Sequence, residues 1–170
     1  MTFEKLKRST FIKNKGNLTI TSFVTILVTV MAANSQFAVA VHILAMLAKF
    51  GEENVKSDCI AASVNTNAVV IRRLLCGLQQ AKLVVSQTGA NGGTRLARQP
   101  ENINLLEVYH AALPHAEVFA LHRNAPNQNC FIGKNISKVL EKLQTEIDEA
   151  VEEKLARYSL ADVLESVGKK

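Results

Sequence analysis

Apolar positions recur at helical spacing in several stretches of the chain, and at alternating spacing in one. Phe37, Val41, Leu44, Ala45 and Ala48 share a helical face, predicting a helix to Phe50 that Gly51 closes. Ser57 or Asp58 is expected to cap a short helix through Cys59–Val64. Asn65-Thr-Asn interrupts the run. A longer helix then spans Asn67–Gln80, with Val70, Ile71, Leu74, Leu75 and Leu78 inward. At Leu83–Gln87 the pattern becomes β-branched and alternating, and Thr94–Arg98 mirrors it across a turn rich in glycine. Asn104 is placed to cap a short helix, with Glu107 closing a capping box. From Gly133 a long helix carries the stripe Ile136, Val139, Leu140, Leu143, Ile147, Val151 and Leu155. Lys138, Glu141, Lys142, Glu146, Glu149, Glu152 and Glu153 cover its other side. Residues 158–164 form a last short helix capped by Ser159, followed by a frayed Gly168-Lys-Lys.

The first helix pair has helix-turn-helix spacing. Ala61 is small where the second helix must cross, and Asn65 tolerates the left-handed backbone that the turn requires. Ile60, Val64, Ile71 and Leu74 pin the pair together. Thr66, Asn67, Arg72 and Arg73 are then presented outward. Arginine pairs with guanine or phosphate and asparagine with adenine, so these residues suit base and backbone contacts. Arg72 and Arg73 point about 100° apart on a helix, so one of them faces a groove. A plain helical hairpin with a solvated polar face satisfies the same periodicity. The two strands that follow favour the DNA-binding reading, because a hairpin directly after a helix-turn-helix is a wing. Gly89, Gly92 and Gly93 let its backbone approach a surface, and Arg95 and Arg98 flank it, suited to phosphates or a narrow minor groove. A phosphate-binding glycine loop is excluded because no helix follows the glycines.

The fold class is therefore mainly α with a small β-wing: a winged helix-turn-helix domain plus a long C-terminal dimerisation helix. Residues 1–30 read as an extension or tail, 31–100 as the DNA-binding domain and 101–170 as a helical dimerisation and sensing arm. Charge follows this division. The 170 residues carry a formal +5, distributed as +4 over 1–30, +4 over 31–100 and −3 over 101–170. The first thirty residues resemble a leader peptide superficially. Thr19, Thr21, Ser22, Thr25 and Thr29 interrupt their apolar run, however, and Met31 reads as the natural beginning. Three widely spaced cysteines, Cys59, Cys76 and Cys130, fit neither a disulfide framework nor a structural zinc site. They place the chain in a reducing, cytoplasmic compartment. Cys59 and Cys76 read as small core residues.

Ser57…Ile60-Ala61, Ile71-Arg-Arg-Leu-Leu, Leu78-Gln-Gln-Ala-Lys-Leu-Val-Val-Ser, Gly89-Ala-Asn-Gly-Gly-Thr-Arg-Leu-Ala-Arg and Ile103-Asn-Leu-Leu-Glu-Val together resemble the Rrf2 winged-helix regulators, from about Asn34 to Leu164. The resemblance implies a homodimer that binds double-stranded DNA at a near-palindromic operator and represses. Its best-known members hold an iron–sulfur cluster on three cysteines between the wing and the long helix. Here Pro100–Gly133 contains Cys130 alone, so no cofactor is expected. His110, His115 and His122 read as scattered surface or packing residues. Asn127-Gln-Asn-Cys130-Phe-Ile-Gly-Lys-Asn-Ile is similar to a cluster-free branch with one cysteine before the dimer helix. A helix dipole there activates a thiol, making Cys130 a candidate redox sensor beside the alternative of a packed cysteine. Ile136, Leu140, Leu143, Ile147 and Val151 are the expected dimer interface. An isolated helix cannot bury such a stripe without a partner, and an intramolecular bundle is the competing arrangement. No membrane partner is expected. Two other functions compete: a winged-helix protein-interaction module without DNA binding, and a thiol-dependent enzyme. The basic wing counts against the first, and the lack of a catalytic constellation near Cys130 against the second.

Overall fold

The computed structural model describes residues 20–89, 92–114 and 118–168, with side chains from Ser35 onward. Residues 1–19, the wing tip Ala90–Asn91, His115–Glu117 and the terminal Lys169–Lys170 lie outside them, so the turn, histidine and tail assigned there are not described. The chain divides after Ala32 into two units. In the first, helix is described from Ile20 on; the second, Ala33–Lys170, holds the apolar core and the hairpin.

Helix α1 spans Ile20–Phe50, so it begins neither at Met31 nor at Phe37. No glycine or proline lies between Asn17 and Gly51 to stop it. Its fully buried positions are Ala40, Ile43, Leu44 and Leu47. Of the expected stripe, Leu44 is one of these, while Phe37, Val41, Ala45 and Ala48 flank them, half-buried, because the core faces a slightly different side of the helix. Gly51 closes α1 at φ +62°, donating to Leu47 O at 3.1 Å.

Helix α2 (Ser57–Val64) and helix α3 (Ala68–Gln80) form the helix-turn-helix. Asn65 adopts φ 57°, ψ 52°, the left-handed turn expected of it. Ile60, Ala61, Ile71, Leu74, Leu75 and Leu78 are buried between the helices and α1, while Val64 packs at the edge. Val70, expected inside, is substantially exposed. Strand β1 (Val84–Gln87) pairs antiparallel with β2 (Gly93–Leu96), Val85 opposite Arg95 and Ser86 opposite Thr94. Val55 adds a third, one-residue strand: it exchanges two 2.9 Å backbone bonds with Thr94.

The core does not stop at position 100. A 3-10 turn at Pro100–Asn102 leads into α4 (Leu105–Ala112). Ile103, Leu105, Val108 and Ala112 join the same apolar cluster as α1 and α3. Helix α5 (Phe131–Ala156) begins two residues before the expected Gly133, and α6 (Leu160–Gly168) follows it. Leu160, fully buried, returns the chain to the core. Its N–H reaches Ile103 O at 2.8 Å, and Leu105 N–H reaches Tyr158 O at 2.9 Å. Ser159 and Asp162 form a reciprocal cap on α6. Hydrogen bonds from the Ser159 backbone and side chain hold the Asp162 carboxyl below its ordinary pKa.

Candidate nucleic-acid interface

The buried residues of α3 fix its opposite face. Ile71, Leu74, Leu75 and Leu78 point inward, leaving Val69, Arg73 and Cys76 aligned along the outermost line at i, i+4 and i+7. All three are exposed. The helix sequence Ala-Val-Val-Ile-Arg-Arg-Leu-Leu-Cys-Gly-Leu-Gln-Gln contains two arginines and no acid. Beside this face lies a groove of about 490 Å³ between the start of α2, the flank of α3 and the hairpin. Lys56, Arg72, Cys76 and Gln79 line one wall; Ser86 to Gly89 and Gly92 to Thr94 line the other.

The expected contact residues separate into distinct situations. Asn67 is the N-cap of α3, its Oδ1 accepting from Val69 N–H at 2.8 Å. That oxygen is engaged in the cap, so the side-chain NH2 is the remaining polar group of this exposed residue. Thr66 is half-buried in the turn. Arg72 reaches back to α2, donating from Nε to Ser57 Oγ at 3.1 Å and from Nη2 to Asp58 Oδ1 at 3.2 Å. Ser57 and Asp58 are thus partners of Arg72 rather than the α2 cap. Lys56 occupies the cap position and makes no side-chain capping bond. Arg73, by contrast, has no ion pair among the described residues.

In the hairpin, Arg95 lies on the face opposite Thr94, 3.8 Å from Glu52. Arg98 turns inward. Its Nη2 donates to Glu107 Oε2 at 2.7 Å and its Nη1 to Asn102 O at 3.1 Å, while its Nε is buried without a hydrogen-bond partner. Glu107 therefore holds the root of the wing instead of closing a capping box. Asn104 caps α4 alone, through Leu106 N–H at 2.8 Å. The wing glycines also have internal reasons. Gly89 adopts φ +107°. A Cβ on Gly93 would lie 2.8 Å from the Asn54 carbonyl carbon, so this glycine admits the third strand. Gly77 has a similar role on α3: a Cβ there would lie 2.6 Å from Ala111 O of α4. Periodicity did not reveal this crossing point; a glycine inside an otherwise good helix was its signal.

All three cysteines are free and exposed, which corrects the core assignment of Cys59 and Cys76. Both occupy helix positions turned away from the apolar cluster. Cys130 is the N-cap residue of α5. Its N–H donates to Asn127 O at 3.1 Å, in a turn that packs directly on Gly133.

On α5, one edge of the stripe packs on its own chain. Gln144 is buried and donates to Phe119 O at 2.9 Å, Asp148 accepts from Val118 N–H at 3.2 Å, and Glu152 lies 3.6 Å from His110. Burial first, then Asp148 and Glu152, raise the Tyr109 pKa above its ordinary value of 10.0. The other edge is open: Phe131, Ile132, Val139 and Leu143 are exposed, Val139 by 61%. Ile136, Leu140, Ile147 and Val151 lie between the two edges, half-buried. Among the described residues no single helix is long and apolar enough to cross a membrane.

Comparison with known proteins accords with this geometry. YwnA of Bacillus subtilis (strain 168), assigned by inference as a helix-turn-helix-type transcriptional regulator, is 42% identical over 131 residues, covering 77% of this chain and 96% of its own. A crystal structure named by inference as a DNA-binding protein is 37% identical with a TM-score of 0.61, covering 76% of this chain and 99% of that one. CymR of B. subtilis, described as the global cysteine regulator, shares the fold at 22% identity and a TM-score of 0.57, over 78% of this chain and 95% of its own. The Rrf2 family model, described as an iron-dependent transcriptional regulator, matches residues 33–166. An iron or iron–sulfur centre needs several thiolate, imidazole or carboxylate donors converging on one point. No group of three or more His, Cys, Asp or Glu side chains does so among the described residues, so these do not fit such a centre. With the winged helix, the exposed basic face of α3 and the match over residues 33–166 all in agreement, the chain belongs to the Rrf2 family of transcriptional regulators.

Proposed function

We propose that the chain is a cluster-free, homodimeric repressor that reads an inverted-repeat DNA operator. The observation that carries this reading is the outer face of α3: exposed, free of acids, bearing Arg73, and set beside a glycine hairpin. A recognition helix of this kind enters the major groove with its N-terminal residues toward the base edges. Thr66 and Asn67 stand at that end, and Arg73 and Lys56 supply charge for phosphates. Arg72, Gly92, Gly93 and Arg95 border the groove or the hairpin and orient the contact. The open edge of α5, with Ile136, Leu140, Leu143, Ile147 and Val151 behind it, supports pairing with a second copy. Two-fold pairing sets the recognition helices about one DNA turn apart. Repression itself is carried over from the family resemblance. The presence of one cysteine in Pro100–Gly133 supports function without a cluster.

A gel-shift titration on the DNA upstream of the chain's own gene tests the reading. Specific binding that weakens steeply with salt is expected. Binding that is equal on unrelated DNA, or absent, refutes it. Deleting the gene should raise the adjacent transcript.

The exposed thiol of Cys130, in a turn at the start of the pairing helix, favours a second layer of function. Two-electron oxidation of that thiol by hypochlorite or peroxide, to a sulfenic acid, would release the operator. Cys130→Ser should then bind DNA normally and resist release, while Cys76→Ser should not. Release unchanged in Cys130→Ser removes the sensing role.

A further inference from the structure

Val69 is an exposed residue that neither packing nor phosphate contact explains. It lies in the first turn of α3, is 65% exposed, and is not part of the apolar core cluster formed by the described residues. The line it begins continues to Arg73 and Cys76, and α3 contains no acid that would repel a polyanion. The cap made by Asn67, two residues earlier, accepts from its backbone N–H. An apolar side chain at the leading end of a basic helix would gain from meeting something apolar within an anionic partner.

Resting on the DNA-binding reading, we infer that Val69 is a specificity-determining residue that contacts the C5-methyl group of a thymine in each half-site. In the major groove the thymine methyl is the one apolar group among otherwise polar base edges. A valine set against a polar edge would strip water from a donor or acceptor and return no hydrogen bond. Set against a methyl, the same side chain removes apolar surface from water on both partners. Val69 thus selects thymine, and Arg73, one turn further along the helix, holds the register through the backbone.

Replacing thymine with uracil removes that methyl and leaves the Watson–Crick pair intact. The experiment first selects a preferred site for the full-length protein from random duplex DNA. Each thymine of that site is then changed to uracil, singly and in symmetric pairs, and the affinity measured. One position per half-site should weaken binding about three- to fourfold, the worth of one buried methyl, and roughly tenfold when both are changed. Val69→Ala should bind the thymine and uracil sites equally, with Val69→Thr as a second variant that keeps the side-chain shape. Circular dichroism confirms that each variant is folded. A selected site at which no uracil has an effect overturns the inference, as does an effect that persists unchanged in both variants. If no sequence is enriched at all, the DNA-binding reading itself fails, which is a separate and recognisable result.

Discussion

Replacing Gly77 with alanine sets two known effects against each other. Alanine favours an interior helix position by about 1 kcal/mol over glycine, so propensity alone predicts a more stable protein. The structure predicts the reverse. The new Cβ would lie 2.6 Å from Ala111 O, a backbone atom of α4 that cannot rotate away. Comfortable carbon contacts lie near 3.5–4.0 Å, so α3 must move by roughly 1 Å or α4 must deform. Overpacking of this kind costs typically 1–3 kcal/mol. The net effect is a loss of about 0–2 kcal/mol in stability. A larger loss is expected in DNA affinity, because the displaced element is the helix proposed to enter the major groove. Urea denaturation and a gel-shift titration on the same preparation measure both. If Gly77→Ala is stabilised by the full propensity gain and binds DNA normally, the tight α3–α4 crossing is not a feature of the molecule.

Arg98→Ala should lower stability by about 1 kcal/mol or less, since its pair with Glu107 is partly exposed, and leave the salt slope of DNA binding unchanged. Arg73→Ala should instead reduce that slope by about one unit, and the opposite pattern would place Arg98 on the phosphates. Val139→Glu puts a charge on the open edge of α5, so sedimentation should show a folded monomer for the variant and a dimer for the parent chain if α5 pairs as proposed; a dimeric variant would move the interface elsewhere. The raised Tyr109 pKa means that folding favours the neutral phenol: this stability is complete below pH 10 and is lost as pH rises beyond it. Wild type should therefore lose more stability than Tyr109→Phe between about pH 9 and pH 11 in urea titrations, and equal losses would contradict the assignment.

The helix-turn-helix was legible because its constraints are local. Ile71, Leu74 and Leu78 repeat at helical spacing along α3, and Asn65 marks a turn whose left-handed backbone few residues tolerate. The hairpin was legible for the same reason. What escaped was determined by partners distant in sequence. Val55 pairs with Thr94 as a single residue, which leaves no alternation to detect. Arg98 in a basic hairpin looks available for phosphate until the fold places Glu107 beside it. Gly93 looks like a concession to a ligand until Asn54 occupies the space. Cys76 shows the limit of residue averages. Cysteine is often buried, yet here helical phase turns it outward, opposite Leu74 and Leu78. The start of α1 was missed because interspersed threonines disguise a stretch that contains no helix breaker.

That outward phase gives the central claim its most direct test. Cys76 lies on the face of α3 proposed to enter the major groove, whereas Cys130 stands before α5 and does not line the groove beside α3. Maleimide labelling of the full chain, read cysteine by cysteine by mass spectrometry with and without the selected DNA, compares the two thiols in one sample. Bound DNA should strongly slow labelling at Cys76 and leave Cys130 unchanged. Labelling of Cys76 at the same rate on saturating specific DNA would show that the outer face of α3 does not meet the duplex, and the account would fail.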